Sequence, residues 1–188
     1  MPFTHLTAKD FRTMPWANGL GRTVELYRRE DEAGNLLIRL SVADVVAEGP
    51  FSSLPGIDRV LTLIEGAGFD LDFAGKAPVA PARLLQPIAF SGDWQTSAIN
   101  FKGPSRDFNL MMQRGAFEAE VMYLQPGEHT LDLVGTAFVA LYSVAGDAHI
   151  TRFSTTIRAG ELLLIEAENW LTTNVSGPLL VIQLKSYR

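Results

Sequence analysis

Three short segments of this 188-residue chain combine residue types that can hold a charged or amide-bearing ligand. The first is Pro15-Trp16-Ala17-Asn18-Gly19-Leu20-Gly21-Arg22, where two glycines and an asparagine free the backbone and leave N–H groups within reach of a ligand. Folded over a pocket, this loop would bring Asn18 and nearby N–H groups to the ligand. The second runs from Gly49 to Arg59 and ends on Pro55-Gly56-Ile57-Asp58-Arg59, a tight turn feeding a strand that places Asp58 and Arg59 at its rim. The guanidinium of Arg59 is a planar fork suited to a carboxylate, and it stays charged at any relevant pH. The third, Gly103 to Met112, sets Asp107 and Asn109 on one face of a strand, with Phe108, Leu110 and Met112 on the other. Buried Asp and Asn need partners, so this face implies an internal network or a polar ligand.

Each feature also has a plainer explanation. Arg59 can pair with Asp58 or Asp107 as a structural ion pair, and the glycine loop can simply lead into the strand at Thr23–Arg28. The loop is no dinucleotide fingerprint, because the third glycine and the strand–helix context are missing. Cysteine is absent, which removes disulfides, thiolate catalysis and Cys-based metal sites. His5, His129 and His149 are too far apart in sequence for two to aim at one ion from a single strand or helix, so no metal and no cofactor is expected. No Gly-x-Ser-x-Gly elbow marks a serine nucleophile, and no catalytic residue is assigned. Should the pocket be catalytic, Asp107 and Glu65 are the candidate bases.

The elements that must position these residues read as strands. Apolar runs of five to ten residues, including Leu37–Val46, Val60–Glu65, Phe108–Gln113, Phe138–Val144 and Leu179–Leu184, alternate with Gly and Pro turns, the rhythm of an all-β sandwich or barrel. One helix start is expected at Thr7-Ala8-Lys9-Asp10, ending before Pro15. The chain also repeats itself. Val60–Gly66 matches Val139–Gly146 at an offset of 79 to 80, Leu40–Val42 matches Ala119–Val121 at 79, and Ile88–Phe90 and Trp94–Thr96 match Leu164–Glu166 and Trp170–Thr172 at 76. The implied modules are residues 1–114 and 115–188. At offset 79 Arg59 falls on Phe138, so a shared fold would not need that arginine.

With 16 basic and 21 acidic residues the net charge is −5, which provides no basic patch for nucleic acid. The apolar runs are too short to span a bilayer and the N-terminus does not read as a secretory signal, so a cytoplasmic protein without membrane contact is expected.

Taken together, Pro15-Trp-Ala-Asn-Gly-Leu-Gly21, Gly49-Pro-Phe-Ser52, Pro55-Gly-Ile-Asp-Arg59 and Asp107-Phe-Asn-Leu-Met111 resemble the HutD/Ves family of bacterial cupin-like proteins, in order from about Phe11 to Arg114 and more loosely beyond. The resemblance implies a bicupin, two small jelly-roll barrels in one chain, often assembled as a homodimer. It implies a regulatory protein of histidine utilisation that senses a small acidic metabolite, either a formylated or formimino derivative of glutamate or urocanate. Asn18, Arg59, Asp107 and Asn109 would then form the ligand site with Trp16 as lid, Arg59 holding a carboxylate. Two departures matter: Leu20 interrupts the family's run of glycines, and the cupin metal pattern of two histidines followed by a glutamate is absent. The alternative is a metal-independent hydrolase or isomerase acting on the same kind of small carboxylate.

Overall fold

The computed structural model describes residues 3–16, 21–166 and 168–187, almost all of them in strands or the turns between strands. In chain order the strands are β1 (Phe3–Leu6), β2 (Arg12–Pro15), β3 (Arg22–Glu30), β4 (Leu36–Val45), β5 (Gly49–Pro50), β6 (Ile57–Gly66), β7 (Asp70–Asp72), β8 (Ala80–Pro81), β9 (Pro87–Ser91), β10 (Ser97–Ile99) and β11 (Ser105–Gln113). They continue as β12 (Phe117–Leu124), β13 (Gly127–Asp132), β14 (Phe138–Ser143), β15 (Ala148–Ile150), β16 (Thr155–Ile157), β17 (Leu162–Ile165), β18 (Trp170–Val175) and β19 (Leu179–Ser186). A single 3-10 turn at Thr151–Phe153 is the only helical element among the described residues, and no helix is long and apolar enough to cross a membrane.

The chain divides into two compact units, Arg12–Ala116 and Phe117–Arg188, the latter joined by Met1–Phe11. The first strand therefore belongs with the C-terminal unit, because Phe3–Leu6 pairs antiparallel with Leu162–Ile165. His5 reinforces this pairing through a 2.8 Å contact with Glu161. The helix expected after Thr7 is a turn instead. Half of the anticipated capping contacts form: the Asp10 carboxylate accepts the Thr7 N–H at 2.9 Å and the Thr7 hydroxyl at 3.1 Å, while the Asp10 N–H donates to the Thr7 carbonyl. Arg12–Pro15 then pairs with Arg22–Glu25, and this ladder claims the backbone groups a helix would need.

In the Arg12–Ala116 unit, a six-stranded sheet in the order β2-β3-β4-β11-β6-β9 and a four-stranded sheet β5-β10-β7-β8 make the two layers. In the other unit, the sheets run β12-β19-β14-β17-β1 and β13-β18-β15-β16. The orders β4-β11-β6-β9 and β12-β19-β14-β17 correspond strand for strand, as do the two four-stranded sheets. Every repeat match found in the sequence falls on or beside a corresponding pair of these strands.

The two interiors differ in chemistry. That of the Phe117–Arg188 unit is mainly apolar and buries no charged side chain among the described residues, built on Leu131, Val139, Leu141, Ile150, Leu163 and Val181 among others, with Thr173 and Gln183 among its buried polar residues. The Arg12–Ala116 unit has an apolar core at one end, with Leu61, Leu63, Phe69, Leu71, Phe73 and Phe90, and buries Arg59, Asp107 and Asn109 beside it. Because side chains alternate between faces, an offset of 80 rather than 79 keeps inward residues of β6 on inward residues of β14. The residue corresponding to Arg59 by face is thus Val139 of the apolar core rather than Phe138.

Candidate functional site

Three neighbouring strands present one polar wall. Antiparallel register sets Ser41 opposite Asn109 and Asn109 opposite Leu61, while Arg39, Met111 and Arg59 share the next row across β4, β11 and β6. With period-two alternation, Arg39, Ser41, Ala43 and Val45 of β4 face the same way as Asn109 and Met111 of β11. All of them line a cavity of about 490 Å3 with Trp16, Thr23, Glu48, Phe51, Ser52 and Arg59.

Arg59 sits inside the unit, only 3% exposed, not at its rim. Its Nη2 donates to Asn109 Oδ1 at 3.1 Å and its Nη1 to the Ser52 carbonyl at 3.3 Å. The guanidinium carbon lies 5.4 Å from the centre of the Phe51 ring and 5.0 Å from that of Phe90, geometry in which the rings' negative faces stabilise a cation. Its Nε is enclosed and has no hydrogen-bond partner. Burial lowers its pKa to about 10, against the opposing pull of Asp107, and the nearby positive charge of Arg39 lowers it further. It remains a cation at neutral pH, held without a carboxylate in direct contact.

Asp107 balances this charge from one residue further away. Asn109 Nδ2 donates to Asp107 Oδ1, so a chain runs from Asp107 through the Asn109 amide to Arg59. Fully buried, with Oδ2 unpartnered, Asp107 has its pKa pushed up to about 7 by desolvation; the hydrogen bond from Asn109 and the charge of Arg59 oppose this, while Asp44 adds to it. Asp107 is absent from the cavity lining. It orients Asn109 instead of pairing with Arg59.

The remaining sequence candidates separate clearly. Trp16 lines the cavity, its indole N–H donating to Thr23 Oγ1 at 2.9 Å. Asn18 lies outside the described residues. Asp58 points away from Arg59 and accepts from Arg114 at 2.9 Å. Glu65 is exposed and pairs with Arg106 at 3.1 Å; the register shift between Arg106 and Asp107 turns the end of β6 out of the wall, which removes it as a base. Each histidine has a hydrogen-bond partner: Glu161 for His5, the Gln125 carbonyl for His129, and Thr156 for His149. No group of three metal-ligating side chains occurs among the described residues.

Arg39, Ser41 and Glu25 were not singled out from the sequence. Arg39 lines the cavity with its Nε 2.6 Å from Glu25 Oε2, and both side chains are mostly buried. The signal was present as alternation through Leu36–Val45, but apolar residues occupy both faces of that strand and mask it. Glu48 is the only carboxylate among the described lining residues, exposed, with its Oε1 accepting the Phe101 N–H at 3.0 Å.

These features define a cupin-like all-β protein with a cavity lined by a buried arginine, a fold found also in solved structures of far lower identity. The chain belongs to the HutD family, whose model matches residues 8–181. HutD from Pseudomonas fluorescens is similar over 99% of this chain and 100% of its own, with 31% identity and a TM-score of 0.85. An uncharacterised 21.2 kDa protein in the hutC 3′ region of Pseudomonas putida is 36% identical over 119 residues, 63% of this chain and 62% of its own length. Protein Ves of Escherichia fergusonii is 34% identical over 116 residues, 60% of each chain. The matched segment thus spans about three fifths of the length of these two relatives.

Proposed function

We propose that this chain is a metabolite-binding regulatory protein of histidine utilisation, which holds the carboxylate of a small ligand at Arg59 and performs no chemistry on it. Its ligand is a formylated or formimino derivative of glutamate, or urocanate. The observation that carries the reading is Arg59 itself: a buried cation at an open cavity, fixed by an amide and a carbonyl, with no carboxylate in contact. A buried charge left unpaired is costly, and a ligand carboxylate removes that cost. Membership of the HutD family and a relative lying beside hutC support the pathway. One arginine fork with a few neutral hydrogen bonds fits roughly micromolar to millimolar affinity.

The reading extends to the whole chain. The two units with matching strand order are taken as the two cupin modules of a bicupin, the first binding the ligand and the second, filled with aliphatic side chains, serving as structure. The working form is a cytoplasmic homodimer, which sedimentation of the purified protein tests. An enzyme would need a base in reach of the reacting atom; neither Glu65 nor Asp107 lines the cavity, and the lining carboxylate Glu48 is exposed and engaged by the Phe101 N–H. Calorimetric titration of EDTA-treated protein with N-formylglutamate, urocanate and glutamate, with product analysis of the same mixtures, separates the readings. Saturable binding lost in Arg59→Ala and no product supports the sensor. Turnover moves the assignment to a metal-independent enzyme, and silence with every ligand ends the histidine-pathway assignment.

A further inference from the structure

We infer that Glu48 is a specificity-determining residue of the cavity, and that with Arg59 it fits the site to a ligand carrying a carboxylate at one end and a cationic nitrogen at the other. This rests on the reading of Arg59 as the carboxylate partner. Among the ligands proposed for that site, it selects the formimino derivative of glutamate.

The charged side chains that line the cavity among the described residues are Arg39, Arg59 and Glu48. Arg39 is already answered by Glu25, whose Oε2 lies 2.6 Å from its Nε. Arg59 touches no carboxylate, its link to Asp107 passing through Asn109. Asp107 is absent from the lining and, titrating at about 7, carries only part of a charge at neutral pH. Glu48 accepts the Phe101 N–H, and Lys102, the next residue after Phe101, reaches Asp70 at 3.7 Å instead. Arg39 and Glu25 thus cancel, while Arg59 and Glu48 remain as two poles of opposite sign without ionic partners among the described residues.

The poles sit on different layers. Arg59 belongs to β6 of the six-stranded sheet, and Glu48 immediately precedes β5 of the four-stranded one. The chain from Glu48 to Ser52 borders the cavity throughout, and it ends where the Ser52 carbonyl accepts from Arg59 at 3.3 Å. Four residues of extended chain reach at most about 14 Å, an interval that a glutamate-sized ligand and the two side chains can bridge. Glu48 is exposed but anchored, because its Oε1 accepts the Phe101 N–H at 3.0 Å. Its other oxygen is left for a ligand, and a side chain already held loses less freedom on binding. An amidinium offers that carboxylate charged N–H donors. N-formylglutamate would instead bring a neutral formyl group and a second carboxylate toward Glu48, and like charges oppose binding. In the formimino derivative the amidinium offsets that second carboxylate.

The test is calorimetric titration at neutral pH with N-formiminoglutamate and N-formylglutamate, which share shape and both carboxylates and differ in a protonated imino nitrogen for an oxygen. The wild-type protein is expected to bind N-formiminoglutamate about three- to fivefold more tightly, the size of a solvent-exposed ion pair. Glu48→Gln keeps an oxygen for the Phe101 N–H and removes the charge, so it should bring the ratio close to one without disturbing the fold. Raising the salt to about 0.5 M should shrink the wild-type ratio in the same direction. A ratio under about twofold, or a larger one that Glu48→Gln leaves unchanged, overturns the role of Glu48; if both ligands are still lost in Arg59→Ala, the carboxylate site stands. Urocanate binding with both glutamate derivatives silent likewise overturns this inference alone. No binding of any of the three, or binding indifferent to Arg59→Ala, overturns both readings.

Discussion

Replacing Asp107 with asparagine should flatten the pH dependence of this protein's stability near neutrality. In the folded chain the Asp107 carboxyl titrates at about 7, against 3.8 for an ordinary aspartate, because it is buried. The folded chain consequently binds more protons than the unfolded chain between those two values. Stability falls as pH rises through that window and levels off above about pH 7. With each pH unit equal to about 1.4 kcal/mol, the gap corresponds to about 4 kcal/mol in full, of which about 3 kcal/mol is lost between about pH 5 and about pH 8. Asparagine keeps the size of the side chain and an oxygen for the Asn109 amide but cannot ionise. It also deprives Arg59 of a counter-charge, which shifts the variant's curve without changing its slope above about pH 5. Urea unfolding of the parent and Asp107→Asn at matched pH values gives the difference directly, and other carboxylates cancel in the subtraction. The variant should gain on the parent by about 3 kcal/mol between about pH 5 and about pH 8. Parallel curves across that window would refute a desolvated Asp107.

Other variants test separate parts of the structure. Gly66 has φ +98°, and a Cβ there would lie 2.2 Å from the Pro104 carbonyl oxygen; Gly66→Ala should cost about 2 kcal/mol or more in urea unfolding. A cost below about 0.5 kcal/mol would mean that the β6–β11 edge is less close than described. Trp16 lines the cavity, so ligand binding should change the protein's intrinsic fluorescence, and Trp16→Phe should abolish most of that change while binding persists in calorimetry. Arg59→Met keeps contact with Phe51 and Phe90 and removes a buried charge; its stability should stay within about 2 kcal/mol of the parent, measured by thermal unfolding, while carboxylate binding is lost. A collapse in stability without ligand would make Arg59 a structural residue first.

Period-two alternation made much of the site legible. It put Asp107, Asn109 and Met111 on one face of a strand, and Arg59, Leu61 and Leu63 on one face of another, and the two faces do form one wall. Three features escaped it. Arg39 and Ser41 lie in a strand buried on both sides, where apolar residues fill both faces and alternation fades. Glu65 shares a face with Arg59 by counting, but the register shift at Arg106/Asp107 breaks the count before the strand ends. Val139, not Phe138, matches Arg59 by face because a one-residue offset in a β repeat exchanges inside for outside, an ambiguity that strand similarity alone does not remove. The helix expected after Thr7 failed for a related reason: the capping pair is local, whereas the ladder between Arg12–Pro15 and Arg22–Glu25 is set by residues further along the chain. The N-terminal strand pairs with Leu162–Ile165, a contact between the two ends of the sequence that no local pattern announces.

The most direct test of the carboxylate site is a crystal structure of the protein bound to the tightest of the titrated ligands. The account predicts its carboxylate oxygens within about 3 Å of the Arg59 guanidinium. A ligand seated elsewhere in the cavity with Arg59 still bonded only to Asn109 and Ser52, or bound outside the Arg12–Ala116 unit, would contradict it.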